Sequence, residues 1–114
     1  MITIYHNPKC KKSRAGLQYL TDKRQEIKVV EYLKNYLNRN ELKDLLVKLH
    51  LKVHDIIRTQ EDVYKDSFKN KNFTDEEWID ILVEYPKLIR RPIVTKGYRA
   101  VIGDPVEEIE KLLH

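Results

Sequence analysis

Apolar and polar positions along this chain change period several times, and each change predicts an element. Residues 2–5, Ile-Thr-Ile-Tyr, predict a short strand. A polar, basic stretch follows, and over residues 11–20 a helix is expected with Leu17 and Leu20 on its inner side. After a polar turn at 21–26, the β-rich segment 27–32 predicts a second strand. A strand, a helix and a strand in this order form a βαβ unit with parallel strands and a right-handed crossover. In the middle of the chain the period becomes helical. Asn38 is a plausible N-cap with Glu41 three residues on, and Leu42, Leu45, Leu46 and Leu49 fall at i, i+3, i+4 and i+7. That leucine stripe is core.

A short helix is expected over 53–57, ending near Arg58, and a further turn or two over 61–68, before a polar loop at 69–72. The sharpest local signal comes next. Thr74 and Glu77 form a capping box, Phe73 can staple against Trp78, and Trp78, Ile81, Leu82 and Tyr85 share one face until Pro86 stops the helix. Packing explains the tryptophan fully. Residues 92–95 and 98–102 flank Lys96-Gly97 and read as a β-hairpin. Asp104 then N-caps a last helix, with Pro105 at N1, Glu107 at N3, and Val106, Ile109 and Leu113 inward.

Without its helical middle, about 38–85, the chain reads β-α-β-β-β-α. That is the thioredoxin-like arrangement of the α/β class: a small mixed sheet with helices on both faces. The expectation is a single domain, 1–114, with residues 38–85 as a helical insertion.

Composition narrows the function classes. With 114 residues, 41% of them hydrophobic, the chain can bury one modest core. The net charge of +4, from 22 basic and 18 acidic side chains, is too small an excess to argue for direct nucleic-acid binding. No apolar run approaches membrane-spanning length, and Met-Ile-Thr-Ile-Tyr does not read as a secretory signal. The lone cysteine has no partner for an internal disulfide, which suits a reducing cytoplasm. No bound cofactor or metal is expected.

The chemistry concentrates where the first strand gives way to the first helix. Cys10 falls just before that helix, within His6-Asn7-Pro8-Lys9-Cys10-Lys11-Lys12-Ser13-Arg14. A helix N-terminus presents unpaired N–H groups and a partial positive charge, so it favours an anion, and a thiol there becomes a thiolate more readily. Lys9, Lys11, Lys12 and Arg14 act in the same sense. Most lone intracellular cysteines are inert, but polar and basic neighbours are a poor setting for a core thiol. Cys10 therefore reads as a nucleophile in an anion-binding loop. His6 has two readings, an imidazolium that promotes the thiolate or a cap on the strand end.

Arg58, Arg90, Arg91 and Arg99 are the other candidates. Arginine suits a tetrahedral oxyanion because its fork donates paired hydrogen bonds and stays charged, although most arginines are solvated surface charges. Arg58 and Arg91 border apolar segments and rank above Arg90. The bond from Arg91 into Pro92 is a candidate for cis geometry, and the likeness to thioredoxin-like folds implies that such a proline faces the nucleophilic cysteine.

The chain here resembles the glutaredoxin-coupled arsenate reductases, within the wider arsenate reductase and Spx family. The resemblance rests on residues 6–14, on Ile56-Ile57-Arg58, on Tyr85-Pro86-Lys87-Leu88-Ile89 and on Arg90-Arg91-Pro92-Ile93-Val94, and runs from Ile2 to about Val106. It implies that Cys10 attacks arsenate to form a thiol–arsenate adduct, and that glutathione then adds as co-substrate. Glutaredoxin would supply reducing power and free arsenite. Arg58, Arg91 and Arg99 match the family's oxyanion-binding arginines, His6 the histidine that promotes the thiolate, and Ser13 a hydroxyl donor to the sulfur. The chain departs from the reductases at Lys11-Lys12, where they usually carry Gly-Thr. The alternatives are a non-enzymatic adaptor that docks on a protein such as RNA polymerase, as Spx does, and a general glutathione-dependent thiol reductase. Spx switches through Cys-x-x-Cys, and Ser13 stands at the second of those positions.

Overall fold

The N-terminal alternation builds strand β1 (Ile2–Tyr5), with Ile2 and Ile4 buried, in the computed structural model, which describes residues 1–114. Helix α1 (Lys11–Asp22) follows, and then β2 (Ile27–Val30), parallel to β1 with Tyr5 opposite Val30. Strands β3 (Ile93–Lys96) and β4 (Arg99–Ile102) complete a mixed sheet in the order β2-β1-β3-β4. β3 runs antiparallel to β1 with Ile93 opposite Tyr5, and β4 antiparallel to β3 with Arg99 opposite Lys96. The thioredoxin-like α/β reading therefore holds. The hairpin turn sits one residue later than expected, at Gly97 and Tyr98. Glycine takes the positive φ of 62° that the first central position of such a turn demands.

These strands belong to a compact unit made of Met1–Asn35 and Arg91–His114. Its core joins Ile2, Ile4 and Val94 of the sheet to Leu20 of α1 and to Ile109 and Leu112 of the last helix, with Leu17 partly buried beside them. Within this unit both helices therefore lie on one face of the sheet rather than on opposite faces. The last helix, Val106–Leu112, is a 3-10 helix, and Pro105 stands at its N-cap. Its three-residue turn aligns 106, 109 and 112, so Leu112 is buried where an α-helical period favoured Leu113. The Asp104 carboxylate does not cap it. It pairs instead with Lys12 at 2.9 Å.

The second compact unit, Tyr36–Arg90, contains the helical middle. It holds α2 (Arg39–Leu49), α3 (Asp62–Ser67) and α4 (Asp75–Glu84). Both expected capping boxes form, Asn38 with Glu41 and Thr74 with Glu77. The Phe73–Trp78 staple closes edge to face, with ring centroids 5.1 Å apart. Ile79, rather than Ile81, joins Trp78 and Leu82 as a buried residue of α4. Arg39 of α2 is paired with Glu76 and Asp80 of α4. No helix of the molecule is long and apolar enough to cross a membrane.

Candidate active site

Beyond Tyr5, the backbone of β1 continues one residue as a strand, with the His6 N–H bonded to Val30 O at 2.8 Å, and then turns. Asn7 builds that turn. Its side-chain oxygen accepts from the Lys9 N–H at 3.0 Å, its carbonyl from the Cys10 N–H at 3.0 Å, and Arg14 reaches back to Pro8 O at 3.0 Å. Cys10 is thereby left in extended backbone as the N-cap of α1, half-buried, with its carbonyl accepting the first helical bond from Arg14. Its side chain does no capping. The thiol thus stands at the positive end of a twelve-residue helix, the placement the sequence implied.

His6 and Ser13 meet beneath this loop. His6 Nδ1 and Ser13 Oγ lie 2.6 Å apart, both side chains buried, and Ser13 Oγ also accepts from the Asn7 N–H at 2.9 Å. Ser13 is therefore joined to His6 and to the loop backbone. Burial pushes the His6 imidazole below its ordinary 6.5, with Glu31 pulling the other way and Arg14 adding to the fall. Burial thus favours the uncharged ring over the imidazolium. A neutral ring with its proton on Nδ1 donates to Ser13 Oγ. Both Ser13 lone pairs are then occupied, and its one O–H remains to donate elsewhere.

Arg91 approaches the same end of the sheet from the other side, two residues before β3. It is buried, and its Nε–H donates to the Tyr32 hydroxyl at 2.5 Å. The Arg91–Pro92 peptide is cis. Pro92 packs directly on α1: a Cβ added to Gly16 would lie 2.8 Å from Pro92 Cγ. Cys10, His6, Ser13, Arg91 and Pro92 are thus gathered at one end of the sheet.

Arg99 is not with them. The register puts it opposite Lys96 and Ile2, three residues along the strands from the row Ile102–Ile93–Tyr5, about 10 Å away. Its guanidinium donates to the carbonyls of Lys111, Leu112 and His114, closing the last turn of the chain. Arg99 is a structural clamp on the C-terminal turn, away from the expected oxyanion site. Arg58 lies in the helical unit. Its N–H bonds to Leu88 O at 2.7 Å, and its guanidinium pairs with Glu61 at 3.1 Å. Arg90, in the same unit, donates to Asp55 O at 3.1 Å.

Two participants escaped the sequence reading. Asn7 carries a usable signal, since an Asn before Pro commonly starts a side-chain-closed turn. Tyr32 carries none, because its contact with Arg91 depends on how two distant strands align.

Residues 5–112 match the ArsC family. The chain is 37% identical to an arsenate reductase of Neisseria meningitidis, covering 98% of this chain and 97% of that protein. It is 35% identical to an arsenate reductase of Haemophilus influenzae, covering 98% of each. Among solved structures, an arsenate reductase from Vibrio cholerae superposes with a TM-score of 0.92 at 35% identity, over 97% of this chain and 96% of that one.

Proposed function

The chain belongs to the ArsC family, and from that membership we propose that it reduces arsenate to arsenite, with Cys10 as the nucleophile. The observation that carries the reading is Cys10 at the N-terminus of α1, at the sheet end where the buried Arg91 also arrives. Arsenate is largely dianionic near neutral pH and repels an attacking thiolate, so a fixed cation and the helix N–H groups are needed to hold it for attack. Arg91 supplies the cation. Arg58 enters the reading through the resemblance alone.

In the proposed reaction the Cys10 sulfur attacks arsenic and one oxygen leaves as water, giving an adduct in which arsenic is still pentavalent. The thiol of glutathione displaces a second oxygen as water. A glutaredoxin thiolate then takes the glutathione sulfur as a mixed disulfide, the electron pair stays on arsenic, and hydrolysis of the Cys10–arsenic bond frees arsenite. His6 and Ser13 serve the first step: neutral His6 donates from Nδ1 to Ser13, whose O–H is then available to the sulfur. The exposed Lys9 and Lys11 add positive charge around the loop, while Lys12 is paired with Asp104.

Turnover of arsenate by the purified protein with glutathione and glutaredoxin tests this. Wild type should release arsenite, and Cys10→Ser should abolish it while leaving the thermal midpoint in place. Equal turnover by both proteins overturns the assignment of Cys10, and no turnover by wild type overturns the activity.

A further inference from the structure

The contact between Tyr32 and Arg91 spans 59 residues of sequence and is wholly buried, with Tyr32 1% and Arg91 6% exposed. The sheet order explains why they meet. β1 lies between β2 and β3, and Val30, Tyr5 and Ile93 form one row across the three strands. Tyr32 follows β2 by two residues and Arg91 precedes β3 by two, so they flank the backbone of β1 as it leaves the sheet toward Cys10. Two contacts join them. Arg91 Nε donates to the phenol oxygen at 2.5 Å, and the guanidinium carbon lies over the Tyr32 ring, 5.8 Å from its centroid.

We infer that Tyr32 is a positioning residue for oxyanion binding, setting the plane of the Arg91 guanidinium beside the Cys10 loop. The inference rests on the reading of Arg91 as an oxyanion ligand. A guanidinium recognises a tetrahedral anion through paired N–H groups in one plane, so its usefulness depends on how that plane is held. An arginine side chain has many rotamers, and fixing the plane before the anion arrives removes an ordering cost from binding. The hydroxyl fixes one edge of the fork and the ring supports its face.

The test is Tyr32→Phe, which keeps the ring and removes the hydroxyl. Arsenate and sulfate binding are measured by calorimetry, alongside turnover and the rate of Cys10 alkylation. The expected result is about tenfold weaker binding of both anions, the size of one lost hydrogen bond to a charged group. KM should rise with kcat less affected, and the alkylation rate of the free protein should stay at the wild-type value. The same substitution in an Arg91→Ala background should change nothing further. That comparison is made between proteins differing only in the hydroxyl, so any loss of stability from Tyr32→Phe itself is separated out. Wild-type anion affinity in Tyr32→Phe overturns the inference and leaves the function standing. An undiminished effect of Tyr32→Phe without Arg91 overturns it too, because Tyr32 would then act by another route. Failure of the wild-type protein to bind arsenate overturns the functional reading and the inference together.

Discussion

Three arginines with the same side chain have three different occupations here, and their partners separate them. Arg99 closes a turn through three carbonyls, Arg58 pairs with Glu61, and Arg91 is buried against Tyr32. Replacing Arg91 with alanine should weaken arsenate binding by about 10- to 100-fold, the range for hydrogen bonds to a charged group. Arg91→Lys should recover only part of that, since an ammonium supplies a point charge without the paired donors. Arg99→Ala should bind arsenate as wild type does. Calorimetric titration of the three variants checks this, and an Arg99→Ala defect as large as that of Arg91→Ala would contradict the placement described here. Cys10 was legible in the sequence because its signal is local, a lone thiol among cations at a strand-to-helix junction. Arg99 misled because the residue matches in kind while its register along β4 carries it to the wrong end of the sheet. The place of His6 at the loop is legible in the sequence, but its charge is not, because the burial that favours the neutral ring is a property of the fold.

At the scale of elements, what could be read was whatever is written within a few residues. The boxes at Asn38 and Thr74 and the Phe73 staple are complete in short stretches of chain, and all of them form. The last helix departs from the expectation in two ways: Pro105 stands at its N-cap while the Asp104 carboxylate pairs with Lys12, 92 positions earlier, and the segment winds as a 3-10 helix. Close approach of elements is equally invisible locally. Gly16 reads as a weak spot in α1, yet it is where Pro92 packs against the helix. Gly16→Ala should gain about 1 kcal/mol of helix propensity but force a Cβ to 2.8 Å from a rigid ring carbon. Overpacking of this kind costs about 1–3 kcal/mol, so the net effect should be destabilising. The strain falls on the residue next to Arg91, so anion affinity should drop with it. A lower denaturation midpoint accompanied by weaker arsenate binding is the expected pair of results. A stabilised Gly16→Ala protein would mean that Pro92 can move aside freely.

For the whole molecule, a mixed sheet with both parallel and antiparallel pairs followed from the sequence of elements, because the chain contains both a βαβ unit and a hairpin. The face on which each helix packs did not, since it depends on the return path after β4. The buried end of the sheet also couples total stability to pH. An unfolded His6 titrates near its ordinary 6.5, whereas the folded protein holds its imidazole below that value, chiefly by burial. Above about pH 6.5 neither state is protonated there, and the contribution of a neutral, buried His6 is fully present. As the pH falls below about 6.5 the unfolded chain takes up the proton first, so stability is lost progressively until the folded protein protonates as well. Denaturant melts at about pH 7.5 and 5.5 isolate this effect, because free carboxylates remain ionised across that window. Wild type should lose stability between the two, and His6→Asn, which keeps a polar atom near Nδ1 but cannot titrate, should lose less. The other three histidines, His50, His54 and His114, are exposed and remain in both proteins, so their contribution cancels in the comparison. Equal losses in the two proteins would show that His6 is protonated alike in the folded and unfolded chains, and the neutral imidazole assigned to the Ser13 pair would have to be abandoned.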